Sequence, residues 1–89
     1  MDERLELRRE AVEWRRIESE VIAIDLERAV YLGVNGSGAV LWELLAHGTT
    51  RATLVDRLVE AYAIDEHRAE EDVERFLAEL EQRGLLARL

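Results

Sequence analysis

The chain has 89 residues, with no cysteine and no proline; 12 basic residues, all arginine, stand against 20 acids for a net charge of −8. That length holds one domain, 1–89, and one small core, without room for a deep catalytic cavity beside it. The lack of cysteine excludes disulfides, Cys-ligated zinc, iron–sulfur clusters and a thiol nucleophile. The excess of acid argues against a nucleic-acid surface, because phosphates are met by cationic side chains.

The N-terminal MDERLELRRE is charged throughout. It holds no apolar run of the roughly 7–15 residues a secretory signal needs, nor the ~20 of a membrane span. The longest uncharged stretch, Ala29 to Trp42, is interrupted by Asn35-Gly36-Ser37-Gly38. The expectation is a cytoplasmic protein with no membrane contact. Residues 1–10 read as a frayed lead-in, with Leu5 and Leu7 as a short first strand. Val12 and Trp14 alternate with Glu13 and Arg15, and Ile17 follows, the pattern of a half-buried strand. In Glu20 to Leu26, Ile22, Ile24 and Leu26 share one face and Val21, Ala23 and Asp25 the other. In Ala29 to Val34, Val30, Leu32 and Val34 stand opposite Ala29, Tyr31 and Gly33. Asp25 to Arg28 is the reversal between these strands, without an Asn-Gly signal to fix its register.

Asn35-Gly36-Ser37-Gly38 ends the strand pattern, and Asn35 or Ser37 is a candidate helix cap. Val40, Leu41, Leu44 and Leu45 recur at helical spacing, Trp42 flanks that stripe, and Gly48 is a candidate left-handed stop. Thr49-Thr50 opens a second helix with Leu54, Val55, Leu58, Val59 and Tyr62 on its apolar face. Asp65 is a cap candidate for a third helix. Ala69, Val73, Phe76, Leu77 and Leu80 form its stripe, and Gly84 stops it before a short apolar tail, Leu85 to Leu89. Strands followed by helices predict an α+β fold: a small antiparallel three-stranded sheet followed by three helices, like a winged helix-turn-helix.

The chain offers little catalytic chemistry. His47 and His67 lie apart, at helix ends, and outside any ligand cluster, so they read as surface histidines. Glu70, Glu71, Asp72 and Glu74 read as a solvated helix face, with acids favoured near the N-terminal end of the dipole. Ser37 between two glycines lacks the spacing and the large sheet of a nucleophile elbow. A short glycine turn without lysine is a weak phosphate signal. No metal or cofactor is expected, and the chain reads as no enzyme. What remains is a surface. Ala29 to Val34 can be an edge strand, and an unpaired edge accepts an extended peptide as a further strand. If the last helix packs beside it, Val30, Leu32, Val73, Phe76 and Leu80 would floor a groove. Ala69 would leave room, and Asp72, Arg75 and Glu79 would supply polar rims.

The ordered set Val34-Asn35, Ala39, Leu41-Trp42, Gly48-Thr49, Tyr62, Asp72-Val73, Phe76-Leu77, Leu80 and Gly84-Leu85-Leu86 resembles the PqqD family. The resemblance runs from about residue 12 to 87; Val34 stands where the family usually has Leu. It implies a peptide-recognition element for ribosomally made, modified peptides, in which the leader of a precursor adds as a strand and lies against the last helix. Carried over, the leader-pairing strand is Ala29, Val30, Tyr31, Leu32, Gly33 and Val34. The helix wall is Ala69, Asp72, Val73, Phe76 and Glu79. The chain most resembles the discrete leader-binding proteins of lasso-peptide pathways, whose partners are a leader peptidase and a cyclase. The alternative within the family is a chaperone of the precursor peptide in pyrroloquinoline quinone biosynthesis. A DNA-binding winged helix is the alternative of another class. It is disfavoured because Glu70, Glu71, Asp72, Glu74, Glu79 and Glu81 outnumber Arg68, Arg75 and Arg83 on the third helix.

Overall fold

The computed structural model describes residues 3–89. In chain order it has β1 (Arg4–Leu7), a 3-10 turn (Arg9–Ala11), β2 (Val12–Ile17), β3 (Glu20–Asp25) and β4 (Val30–Asn35). There follow α1 (Ser37–His47), β5 (Thr49–Thr50), α2 (Arg51–Tyr62), α3 (Glu66–Gln82) and β6 (Leu86–Arg88). The α+β expectation holds: β2, β3 and β4 form a three-stranded antiparallel meander, and three helices follow.

Alternation places the meander on the core. Val21, Ala23 and Asp25 of β3 point inward and are buried, while Ile22 and Ile24 sit half-buried on the outer face. Their cross-strand partners on β4 are Val34, Leu32 and Val30 on the inner side, and Gly33 and Tyr31 on the outer. Trp14, opposite Ala23 on β2, packs edge-to-face on Trp42 of α1, with ring centroids 6.4 Å apart and planes at 74°.

Three expectations are corrected by packing that local pattern does not encode. Of the lead-in expected to fray, residues 1 and 2 lie outside the described residues; the short first strand expected at Leu5 and Leu7 is present as Arg4–Leu7, and it is paired on both sides instead of frayed. β1 is the centre of a second sheet, ordered β5-β1-β6, and Leu5 and Leu7 are fully buried. The apolar tail supplies β6, so a long-range pairing such as Leu7 with Leu86 orders both ends together. Thr49-Thr50 is β5 rather than helix; Thr50 then caps α2, its hydroxyl accepting from the Thr53 amide at 3.2 Å.

The helix ends follow elementary capping rules. Asp65 caps α3, its carboxylate accepting from the Arg68 amide at 2.8 Å. The far end closes as a Schellman motif: Leu85 donates to the Leu80 carbonyl, Gly84 donates to that of Glu81, and Gly84 takes φ +71°. Neither Asn35 nor Ser37 caps α1. Gly36 holds that position at φ +56°, and no side chain bonds the free amides. Gly48 ends α1 with positive φ but extended ψ, 90° and 132°, rather than the left-handed helical turn expected. The buried positions of α1 are Ala39, Leu41, Trp42 and Leu45, with Val40 and Leu44 only half-buried. The core-facing stripe is thus rotated onto Trp42.

Candidate functional site

Strand β4 pairs with β3 along one side only, so among the described residues its other side carries no partner strand. In an antiparallel arrangement every second residue then turns its N–H and C=O outward, unsatisfied by the sheet. Beside that edge lies a cleft of about 290 Å³. Tyr31, Leu32, Gly33 and Val34 form its strand side; Phe76, Glu79 and Leu80 of α3, with Arg83 just past its end, form its helix side; Trp42 of α1 lies at its floor. A second concavity of about 330 Å³ shares Phe76 and Glu79 and continues along α3 past Ser37 and Gly38 to Asp72. The two make one trough along the helix, in which apolar and charged side chains share the first part and charged ones dominate the second.

Several local features set the width of this trough. Gly38 sits where α1 leaves the strand, and a Cβ there would lie 2.7 Å from Val34 Cγ1 and 3.4 Å from Phe76 Cε1. Only glycine lets α1 approach both walls this closely. At the other end, the β3–β4 turn is fastened to α3. Asp25 is buried, and its Oδ1 accepts from the amides of Glu27 and Arg28, each at 3.0 Å. Its Oδ2 accepts from Arg28 Nη1 at 3.2 Å, and that nitrogen also donates to the Arg83 carbonyl. The Arg28 amide, ahead of its guanidinium, holds the Asp25 carboxyl below the usual carboxylate range. The turn thus needs no Asn-Gly pair, because a buried carboxylate organises it and Ala29 takes φ +57°.

The rims are electrostatically self-contained. Asp72 meets Arg75 at 3.3 Å and Arg68 at 3.6 Å, and Glu79 meets Arg83 at 3.8 Å. These i,i+3 and i,i+4 pairs are largely exposed and individually weak, so an incoming charge can exchange with them at little cost.

The structure brings together Tyr31, Leu32, Gly33, Val34, Phe76 and Glu79 of the expected site residues, with Asp72 farther along the trough. Four others stand elsewhere. Ala29 is in the turn, outside β4, because its left-handed backbone breaks the strand before Val30. Val30 heads the strand, 44% exposed and outside the cleft lining, so it is no floor residue. Ala69 and Val73 are fully buried; they face the core and support the α3 wall from behind. Trp42, Leu80 and Arg83 line the cleft, and of these Trp42 and Arg83 were missed as site residues. The signal for Trp42 was its place between Ala39 and Leu45 at i, i+3 spacing.

The remaining candidates form no second site. The His67 side chain is 83% exposed and meets Glu71 at 3.7 Å. Among the described residues, no group of three or more His, Cys, Asp or Glu is placed to hold a metal ion. None of the described helices is long and apolar enough to cross a membrane.

The family model for coenzyme PQQ synthesis protein D (PqqD) matches residues 20–86. The chain belongs to the PqqD family. That match begins at β3 and so takes in β4, all three helices and the whole trough. The chain is also similar to a solved structure described as TbiB1 in complex with the TbiA(beta) leader peptide. The two are 32% identical, with a TM-score of 0.81, over 85% of this chain and 88% of that one. A second structure, lasso peptide synthetase B1 complexed with the leader peptide, covers 93% of this chain and 96% of its own. It has a TM-score of 0.80 and 19% identity, a likeness that shows the fold alone. No curated protein sequence matches the chain. Most PqqD motif positions prove to be core: Leu41, Trp42, Val73, Leu77 and Leu85 are all at most 2% exposed. Val34 and Phe76 are motif residues left half-buried at the cleft.

Proposed function

We propose that this protein is a non-catalytic leader-peptide-binding protein of the lasso-peptide type. It captures a ribosomal precursor by taking the leader as a fourth strand on β4, against α3, and delivers it to a leader peptidase and a cyclase in the cytoplasm. One observation carries the reading: the free edge of β4 runs along a cleft walled by α3, with apolar Leu32, Val34, Trp42, Phe76 and Leu80 in its lining. Membership of the PqqD family and likeness to a leader-bound TbiB1 support it. Backbone pairing along β4 supplies affinity that tolerates sequence change, and the cleft supplies anchoring for alternate guest side chains. The guest loses conformational freedom on pairing, so its apolar anchors must offset that loss.

The test is a titration of ¹⁵N-labelled protein with a synthetic leader from the precursor encoded beside its gene, and separately with the TbiA(beta) leader peptide. The amides of Tyr31 to Asn35 and of α3 from Asp72 to Arg83 should shift together, and those of α2 should stay. A leader that shifts no β4 amide at millimolar concentration would refute the reading. Co-purification with a peptidase and cyclase from the same gene neighbourhood tests the delivery role.

A further inference from the structure

Among the described residues, one buried side-chain nitrogen or oxygen has no hydrogen-bond partner: Nε1 of Trp42. The residue is wholly buried and lies at the floor of the cleft between β4 and α3. Buried donors in folded proteins are nearly always paired, and an orphaned one destabilises the state that contains it. Leu32, Val34, Phe76 and Leu80, which line the cleft with it, carry no side-chain acceptor, and Tyr31 and Glu79, which also line the cleft, do not bond this nitrogen. The indole is also held in place by its edge-to-face contact with Trp14, so it cannot easily turn toward solvent.

We propose that the Trp42 indole N–H reads the guest peptide. Resting on the leader-binding reading above, the proposal makes Trp42 a specificity-determining residue. It selects a guest side chain that ends in an oxygen acceptor (hydroxyl, carboxamide or carbonyl) over an apolar side chain of the same shape. Side chains of an added strand alternate, so every second one falls on the inner side with Leu32 and Val34, over the cleft. A donor that is already stripped of water gives up no solvent bond when an acceptor reaches it. The gain is therefore larger than for an exposed pair. An apolar guest residue at the same place leaves the donor orphaned and the cleft otherwise filled. Half-buried Leu32, Val34 and Phe76 are the wall residues with room to yield as the guest enters.

The experiment follows the two indole resonances of the full-length ¹⁵N-labelled protein, assigned with Trp14→Phe, during the same titration with the two leader peptides. The Trp42 indole proton should move downfield and exchange more slowly with solvent once the β4 amides have shifted. Each oxygen-bearing guest residue on the inner side is then replaced by its apolar isostere. One such replacement should weaken binding about tenfold to wild type, and far less to Trp42→Phe. β4 amides that shift while the Trp42 indole stays still would overturn the role of Trp42 and leave leader binding intact. So would a set of guest isosteres that all bind alike. Silence from both β4 and the indole would overturn the leader-binding reading itself. Should Trp42→Phe unfold, the wild-type indole shift and the wild-type isostere series decide the matter.

Discussion

Replacing Gly38 with alanine changes the trough by one methyl group, and its effect can be worked from contacts. The new Cβ would sit 2.7 Å from Val34 Cγ1, well inside ordinary van der Waals separation. Val34 is β-branched and sits in a strand, so it has little rotamer freedom to yield. Phe76 bounds the other side at 3.4 Å. Overpacking of this kind costs about 1–3 kcal/mol. Against it, alanine in place of glycine within a helix gains about 1 kcal/mol of propensity. Net stability should therefore fall by no more than about 2 kcal/mol, a shift of up to roughly 8–16 °C in melting temperature for a domain of this size. The displaced atoms are walls of the cleft, so leader affinity should fall about tenfold or more if ~1.4 kcal/mol of the strain is felt in binding. Gly33→Ala is the matched control. It lies on β4, its Cβ would meet nothing within 4 Å, and its backbone is not left-handed. It should be as stable as wild type or slightly more so, and lose less affinity than Gly38→Ala. Fluorescence anisotropy of a labelled leader, with thermal melts of both variants, makes the comparison. Wild-type affinity in a folded Gly38→Ala, or a loss confined to Gly33→Ala, would refute the assigned trough.

Three further outcomes are expected. Phe76→Ala should weaken leader binding more than Glu60→Ala, an exposed residue of α2; calorimetric titration measures it, with melts to show that both variants fold. Leu7→Ala should lower stability by about 2–4 kcal/mol in denaturant unfolding, because Leu7 is buried in β1; a frayed segment would lose almost nothing. Asp25→Ala should lower the melting temperature at neutral pH. The native carboxylate titrates below its ordinary value, so its contribution is fully present above that ordinary value, about 4. The contribution is lost as pH falls through the native value. The gap between wild type and Asp25→Ala should therefore narrow below about pH 4 in acid melts.

Period-two alternation in Val21 to Asp25 and Val30 to Val34 was enough to write β3 and β4, and i, i+3, i+4 spacing was enough for α2 and α3. The second sheet was not legible. β5 has two residues and β6 three, too few for any period, and both exist because β1 lies between them. Periodicity also gave the stripe of α3 without saying which of its margins meets the cleft. Ala69 and Val73 lie at the centre of that stripe and are buried, whereas Phe76 and Arg83 lie toward the margin and are partly open. Trp42 was read as flanking an apolar stripe because Val40 and Leu44 drew that stripe to the wrong side of α1. The bare edge of β4 was legible only as a possibility: alternation makes Ala29 to Val34 a strand that can be an edge, and its pairing role was what the resemblance to the PqqD family implied.

That bare edge also has a cost while no guest occupies it. Exposed strand borders join one another, and proteins guard against it with charge. Here Val30 and Tyr31 stand open on the border strand, and the guard is a net −8 spread over a small body, which keeps copies apart by mutual repulsion. Salt screens that repulsion, so the guest-free protein is most prone to clump in concentrated brine, and a resident guest is its best solubiliser.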